Sequence, residues 1–451
     1  MKPTDFRRFC LVLGLIGLVQ PLAAAEPFGS ASLLPMPSAY NSQPSYPQIT
    51  PASYNWAQEE ISPNDQAPQP FAPPPTGLTN DYQQAMKQSW DNAGVDGTCC
   101  QDLCCRPCPK FAVWGGGLIM DRSNQSDIPI TREVDPSTIM GTGAVDQQWS
   151  GGFEVGAAWI MPNCCNAIAF NYWGIYPGMQ DGYVYAPDYI NGITPAITGL
   201  DELDFYDGTT FSNVEDWMTT TTGAHYIQQT YAFNSLEVNF LGNTQAWGLV
   251  PFGAGGNCNG CNACGPGCLQ MGWLAGFRYM QFDERFCLHT DYDDDTIGDP
   301  GDINELVYFM NTQNSLWGFQ MGGQGAYYLT DCFSLYGNGR FGVFNNHVTS
   351  EQFIQNEFSD AYINSGIYSG TDYRFTNSRN VLAGMGQIEL GARYQLGCHW
   401  SMYGGYRVVG LSGVATAPSQ ISGNFSDPVT TVNASDSVLL HGAVLGAQYA
   451  W

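Results

Sequence analysis

Four cysteines in the order Cys258-x-x-Cys261-x-x-Cys264-x-x-x-Cys268 have the spacing of iron–sulfur or zinc ligand runs. They belong to a larger set: with Cys99, Cys100, Cys104, Cys105, Cys108, Cys164, Cys165, Cys332 and Cys398 they make thirteen of the fifteen cysteines. In an oxidising compartment the same residues read as a disulfide framework, which is the expectation here, and spacing alone does not give the pairing. A second constellation is acidic. Asp291, Asp293, Asp295, Asp299 and Asp302 fall at relative positions 1, 3, 5, 9 and 12 of a calcium-type loop, but Thr296 stands where glycine is required and no helix flanks the run. The two readings are Ca²⁺ bound through Asp291, Asp293, Asp295 and Asp302, or a solvated acidic loop. For acid–base chemistry there are five histidines, of which His289 beside Asp291, His225 and His347 have acidic neighbours. No Gly-x-Ser-x-Gly nucleophile turn occurs, and no catalytic activity is expected.

The elements that must position these groups are strands. From Val381 to Leu411 the chain alternates with period two: Leu382, Ile388, Leu390, Ala392, Tyr394 and Leu396 fall on one face, and Gln387, Glu389, Arg393 and Gln395 on the other. After a turn at Gly397-Cys398 the alternation resumes, with Trp400, Met402, Tyr406 and Val408 opposite His399, Ser401, Tyr403 and Arg407. A soluble sandwich would put lysine on its polar face, yet the whole chain has three lysines. Aromatic-ended strands of this kind suit a lipid-facing barrel, whose strands need about 9 to 11 residues to cross the bilayer. The same pattern predicts strands from Phe111 to Asp121, Gly152 to Met161, Ala167 to Tyr176, Tyr231 to Leu241, Leu269 to Phe282, Ser315 to Leu329, Phe333 to Phe344 and Val438 to Trp451. The expected fold is all-β, a transmembrane antiparallel up-and-down barrel of about ten strands. A further strand pair near Ala246 to Phe252 would make twelve. The polar face then carries Glu154, Glu237, Arg278, Arg340, Glu389, Arg393 and Arg407 into the lumen, where fixed charges either set ion selectivity or pair to fill a narrow interior.

Lys2, Arg7 and Arg8 precede the apolar run Phe9 to Val19, and Ala23-Ala24-Ala25 follows, so residues 1–25 read as a secretory signal peptide. Residues 26–98 are rich in Pro, Ser, Gln and Asn and are expected to form a disordered periplasmic arm, a spacer or a tether to the cell wall. Residues 99–110 are a cysteine-rich junction, and the barrel occupies 111–451. The connections alternate between long loops and a side of short turns, with the long segment Gly242 to Cys268 as the exception on that side, as the external and periplasmic sides of outer-membrane barrels do, and the thirteen cysteines fall at the periplasmic rim. The long loops hold 27 acidic residues against five arginines and account for most of the net charge of −26. That sign excludes nucleic acid as a partner and favours cations at the mouth.

Gly276-Phe-Arg-Tyr279, its counterpart Gly391-Ala-Arg-Tyr394, and the stretch Asn314-Ser-Leu-Trp-Gly-Phe-Gln-Met-Gly322 resemble the planctomycete family of outer-membrane β-barrel porins, class seven, over roughly Phe111 to Trp451. The resemblance implies an outer-membrane location, lipid as the surrounding partner and a pore, and it brings no catalytic residues. Terminal Tyr449 and Trp451 resemble the aromatic signal by which the barrel-assembly machinery selects its substrates. The dense cysteine rim departs from ordinary porins and resembles cysteine-rich envelope proteins. Two functions therefore stand as expectations: a porin-like passive channel for small polar solutes or cations, and a structural envelope protein with a plugged barrel, cross-linked as a homo-oligomer.

Overall fold

The computed structural model describes residues 108–451 apart from breaks at 124–126, 134–137, 146–148, 177–179, 207–210, 251–266, 292–304, 331, 357–358, 398 and 427–431. Strand β1 is Phe111–Arg122, followed by the short strands β2 (Pro129–Glu133) and β3 (Thr138–Gly141), then β4 (Ser150–Ile160) and β5 (Asn166–Ile175). Next come β6 (Gln180–Tyr185), β7 (Ile193–Pro195), β8 (Leu203–Tyr206), β9 (Phe211–Asn213) and a short helix α1 (Val214–Met218). The long strands are β10 (Ala224–Gly242), β11 (Cys268–Asp291), β12 (Glu305–Tyr328) and β13 (Phe333–Asn356). After β14 (Tyr362–Ile363) the chain ends in β15 (Arg374–Gln395), β16 (Trp400–Val414) and β17 (Asp436–Ala450).

Ten strands, β1, β4, β5, β10 to β13 and β15 to β17, follow one another around a closed antiparallel ring. Closure comes from β1 pairing with β17, Ala112 opposite Ala450 through Arg122 opposite Leu440, and from β10 pairing with β11. Within the ring each barrel strand is paired on both sides, which is the condition for spanning hydrocarbon with strands, and the external part of β15, residues 374–383, pairs on one side alone. β6 continues the line of β5, since both pair with β10, along Ala224–Gln229 and Phe233–Gly242 respectively.

The outward faces explain where the membrane lies. On β11 they run Leu269, Met271, Trp273, Ala275, Phe277 and Tyr279, then change to Gln281, Asp283 and Arg285. On β12 the corresponding change falls between Trp317 and Ser315, which stand opposite Tyr279 and Gln281. On β15 the apolar series ends at Leu382, and Asn380, Ser378 and Thr376 continue it. Within the belt large apolar side chains are open to the surroundings, Phe319 at 76% and Leu382 at 78%, an arrangement that only a non-aqueous solvent rewards. The belt is about 11 residues tall, the span of a transmembrane strand.

The ten expected strands are the ten observed, but β10 to β13 and β15 are longer at their external ends than the sequence pattern predicts. The pattern ends where lipid ends: above the belt the outward residues are polar, so the apolar alternation disappears while the ladder continues. The additional strand pair near Ala246 that would have made twelve is not formed among the described residues. Asn243–Val250 instead turns inward beneath the barrel, with Ala246, Trp247, Leu249 and Val250 buried, and Phe252 lies outside the described residues. The reason is that this segment meets lumen side chains rather than a neighbouring strand. Above the membrane the long strands and the loop sheets β2-β3-β7 and β14-β8-β9 enclose a separate apolar core that includes Leu203, Phe205, Phe286, Tyr308, Ile363 and Phe425.

Candidate functional site

Period two places every second side chain of each strand inside the barrel, and the lumen is the site these side chains build. At its periplasmic end small residues, Ala112, Ala158, Ala167, Ala169 and Ala450, leave room for the inward segment Asn243–Val250. Gly248 in that segment has a φ of +68°, and a Cβ there would collide with the Arg393 guanidinium, so only glycine fits. Barrel side chains hold the segment by its backbone. Gln324 Nε2 donates to the Ala246 carbonyl at 2.7 Å, the Tyr328 hydroxyl to the Gln245 carbonyl at 2.9 Å and Gln448 Nε2 to the Gly248 carbonyl at 2.7 Å.

One layer higher lie the predicted charges, and the structure brings all seven together. Arg407 bridges two carboxylates, its Nε donating to Glu389 and its Nη2 to Glu154, both at 2.7 Å. Each carboxylate is completed by a tyrosine: the Tyr403 hydroxyl donates to Glu154 at 2.6 Å and the Tyr336 hydroxyl to Glu389 at 2.9 Å. Glu237 accepts from Arg340 Nη1 at 2.8 Å, from Gln320 Nε2 and from Asn239 Nδ2, with Arg278 Nη1 at 3.6 Å. Arg278 also donates to Ser235 and Gln387, and Trp173 lies under both Arg278 and Arg407. Of the two readings of these charges, pairing across a narrow lumen is the observed one. Arg393 differs from the other three arginines, since it packs on the Tyr336 ring and makes no carboxylate bridge among the described residues.

Above the charges comes an apolar belt. Trp173, Phe233, Met280, Phe282, Leu316, Val409 and Leu440 point inward from six strands with no exposed surface, and Met120 does so from β1. At the top Arg122 and Glu284 form a buried pair at 2.5 Å, and Gln229 donates to the same carboxylate. The other Glu284 oxygen accepts the Ala417 backbone N–H at 3.0 Å. That residue belongs to a second inward segment, entered through Gly413 at φ +75° where the β16–β17 register shifts. Asn314 exchanges hydrogen bonds with the Ala415 backbone and Asn346 donates to the Gly413 carbonyl, so this segment corks the barrel from outside.

The remaining predicted groups divide. Cys108 and Cys164 form a disulfide that ties the start of β1 to the β4–β5 turn, and Cys165, Cys268 and Cys332 are also disulfide-bonded. Cys268 is thereby removed from the metal-like run, whose Cys258, Cys261 and Cys264 lie outside the described residues, as do Cys99, Cys100, Cys104, Cys105 and Cys398. Asp293, Asp295 and Asp302 also fall outside them, and Asp291 ends β11. The three histidines do not meet. His225 faces the external core, its Nε2 donating to the Met218 carbonyl at 2.7 Å and its Nδ1 accepting from the Thr131 hydroxyl at 2.8 Å. Full burial holds its pKa down at about 4. His289 stands 3.2 Å from the Cys287 sulfur and His347 3.1 Å from the Asn380 amide oxygen.

Sequence reasoning missed Arg122 and Glu284, although the signal was present: each continues the inward parity of its strand beyond the end assigned to it. It also missed Tyr336, Tyr403 and Trp173 as partners of the charges, which parity alone cannot rank.

Residues 120–451 match the family described as "Putative beta barrel porin-7 (BBP7)". No curated protein matches the chain. Among solved structures, the outer membrane protease OmpT from Escherichia coli is 11% identical with a TM-score of 0.34, over 76% of this chain and 97% of that one. A major outer membrane protein from Thermus thermophilus is 12% identical with a TM-score of 0.26, over 75% and 99%. The translocator domain of autotransporter NalP from Neisseria meningitidis is 9% identical with a TM-score of 0.27, over 82% and 96%. A ring closed by β1 and β17, an apolar outer belt, a charged interior and a family match across nearly all of the barrel agree, and this bacterial outer-membrane protein belongs to the beta barrel porin-7 family.

Proposed function

We propose that the barrel stands closed and serves the envelope as a braced structural element, with its external half and periplasmic rim as the working surfaces. The observation that carries this reading is the apolar belt, where Phe233, Met280, Phe282, Leu316 and Val409 have no surface that water can touch. These side chains belong to the wall itself, so withdrawing either inward segment would still leave the belt in place. A hydrophobic layer of this kind also excludes ions, because an unpaired charge meets a large desolvation penalty there. The disulfide-bonded rim supports the same reading, since covalent bracing suits a load-bearing part. In neither this role nor a channel's does the chain act as an enzyme.

A passive channel for small polar solutes or cations is the second reading, favoured by membership of a porin family and by a cavity of about 100 Å³ between the charged layer and the lower segment. Conductance of the purified barrel in planar bilayers separates the two. Silence at moderate voltage is the expected result, and a steady cation-selective current would replace the structural reading with the channel.

A further inference from the structure

The lumen layer is not neutral. Arg278, Arg340, Arg393 and Arg407 face Glu154, Glu237 and Glu389, which leaves one guanidinium in excess. The excess is local to Arg393. Its group is wedged between the Tyr336 ring, 5.2 Å away, and the backbone at Gly248, and its Nε and Nη1 are sealed from solvent with no acceptor among the described residues. Arg340, next along the wall, also has an Nε without an acceptor among the described residues. Both residues line the cavity of about 100 Å³, together with Trp114, Trp247, Asn338 and Gln448. Elsewhere in this layer every charge has an opposite charge; Arg393 as a whole is only partly buried, but a cation whose Nε and Nη1 are cut off from water without a counter-charge still carries a desolvation cost. The low dielectric of a packed lumen strengthens its attraction for any anion that can reach it.

We infer that the cavity beside Arg393 holds one small monovalent inorganic anion, of the chloride type, as a resident counter-ion of the barrel. One such charge neutralises the layer, and the volume excludes large organic anions. The ion acts by compensating Arg393 and, through that residue, by keeping the Gly248 segment seated. The site does not depend on whether the barrel conducts.

The test uses the full chain in detergent micelles and in crystals. Crystals soaked in bromide should show an anomalous peak beside the Arg393 guanidinium. In solution, the midpoint of thermal unfolding, read by β-sheet circular dichroism, should rise with the logarithm of chloride concentration when gluconate makes up constant ionic strength. Arg393→Met should abolish the dependence, and Arg379→Met, on the exposed external part of β15, should keep it. No bromide peak at Arg393 overturns the inference. A peak with equal stability in chloride and gluconate also overturns it, because the site then takes an adventitious ion only. Should Arg393→Met fail to fold, the native protein in the two salts still decides the question.

Discussion

At the scale of single residues, the buried polar groups divide by what compensates them. Arg407 has two carboxylates, and Glu237 has two guanidinium groups and two amides. His225 is compensated only as a neutral ring, since one nitrogen must donate to Met218 while the other accepts from Thr131. It stands near the external end of β10, eleven positions above Leu236, where the outward face is already polar. With a folded pKa of about 4, against about 6.5 when unfolded, the unfolded chain binds more protons between those values. The external core should therefore be most stable above pH 6.5 and lose stability as pH falls toward 4, by up to about 3 kcal/mol. Thermal unfolding between pH 7 and pH 4 checks this, and His225→Gln should flatten that slope; an unchanged slope would remove His225 as its cause. The seven lumen charges were legible in the sequence as inward-facing residues. Their partners were not, because the Glu154 carboxylate and its Arg407 donor are 253 residues apart.

Among elements, the two inward segments and the rim disulfide decide how the barrel is finished. The disulfide joins positions 56 residues apart, a loop whose closure in the unfolded chain is worth roughly 4 kcal/mol in the chain-entropy account. Replacing Cys108 and Cys164 together with alanine should lower stability by up to about that amount. Denaturant unfolding of the refolded barrel, with and without reductant, measures it, and a double variant as stable as the parent would show that β1 is held by its ladders alone. The strands themselves were legible because alternation is local: each of the ten was predicted at its periplasmic end to within a few residues. Their external extensions were not, since Gln281, Asp283 and Arg285 on β11 face water on one side and core on the other, and a polar outward residue carries no lipid signal. The inward course of Asn243–Val250 is not distinguishable from an extra strand pair in the sequence, because its apolar residues are those a strand would also use.

For the whole molecule, the membrane boundary follows from the outward chemistry of all the strands together. Spin labels at Leu390, Tyr406 and Leu445 should be reached by lipid-soluble quenchers, and labels at Asn380 and Gln313, on outward faces above the belt, by water-soluble ones. Equal access of both quenchers to both groups would dismiss the boundary. By itself the sequence determined the barrel and its lipid face, because period-two patterning against a two-sided environment is written in neighbouring residues, while it left ten or twelve strands open. Only the tertiary structure decided that the lumen is filled. Which guanidinium meets which carboxylate, which one is left over, and which segments turn inward depend on ring closure and on the stagger between strands, and these bring together side chains that no local pattern relates.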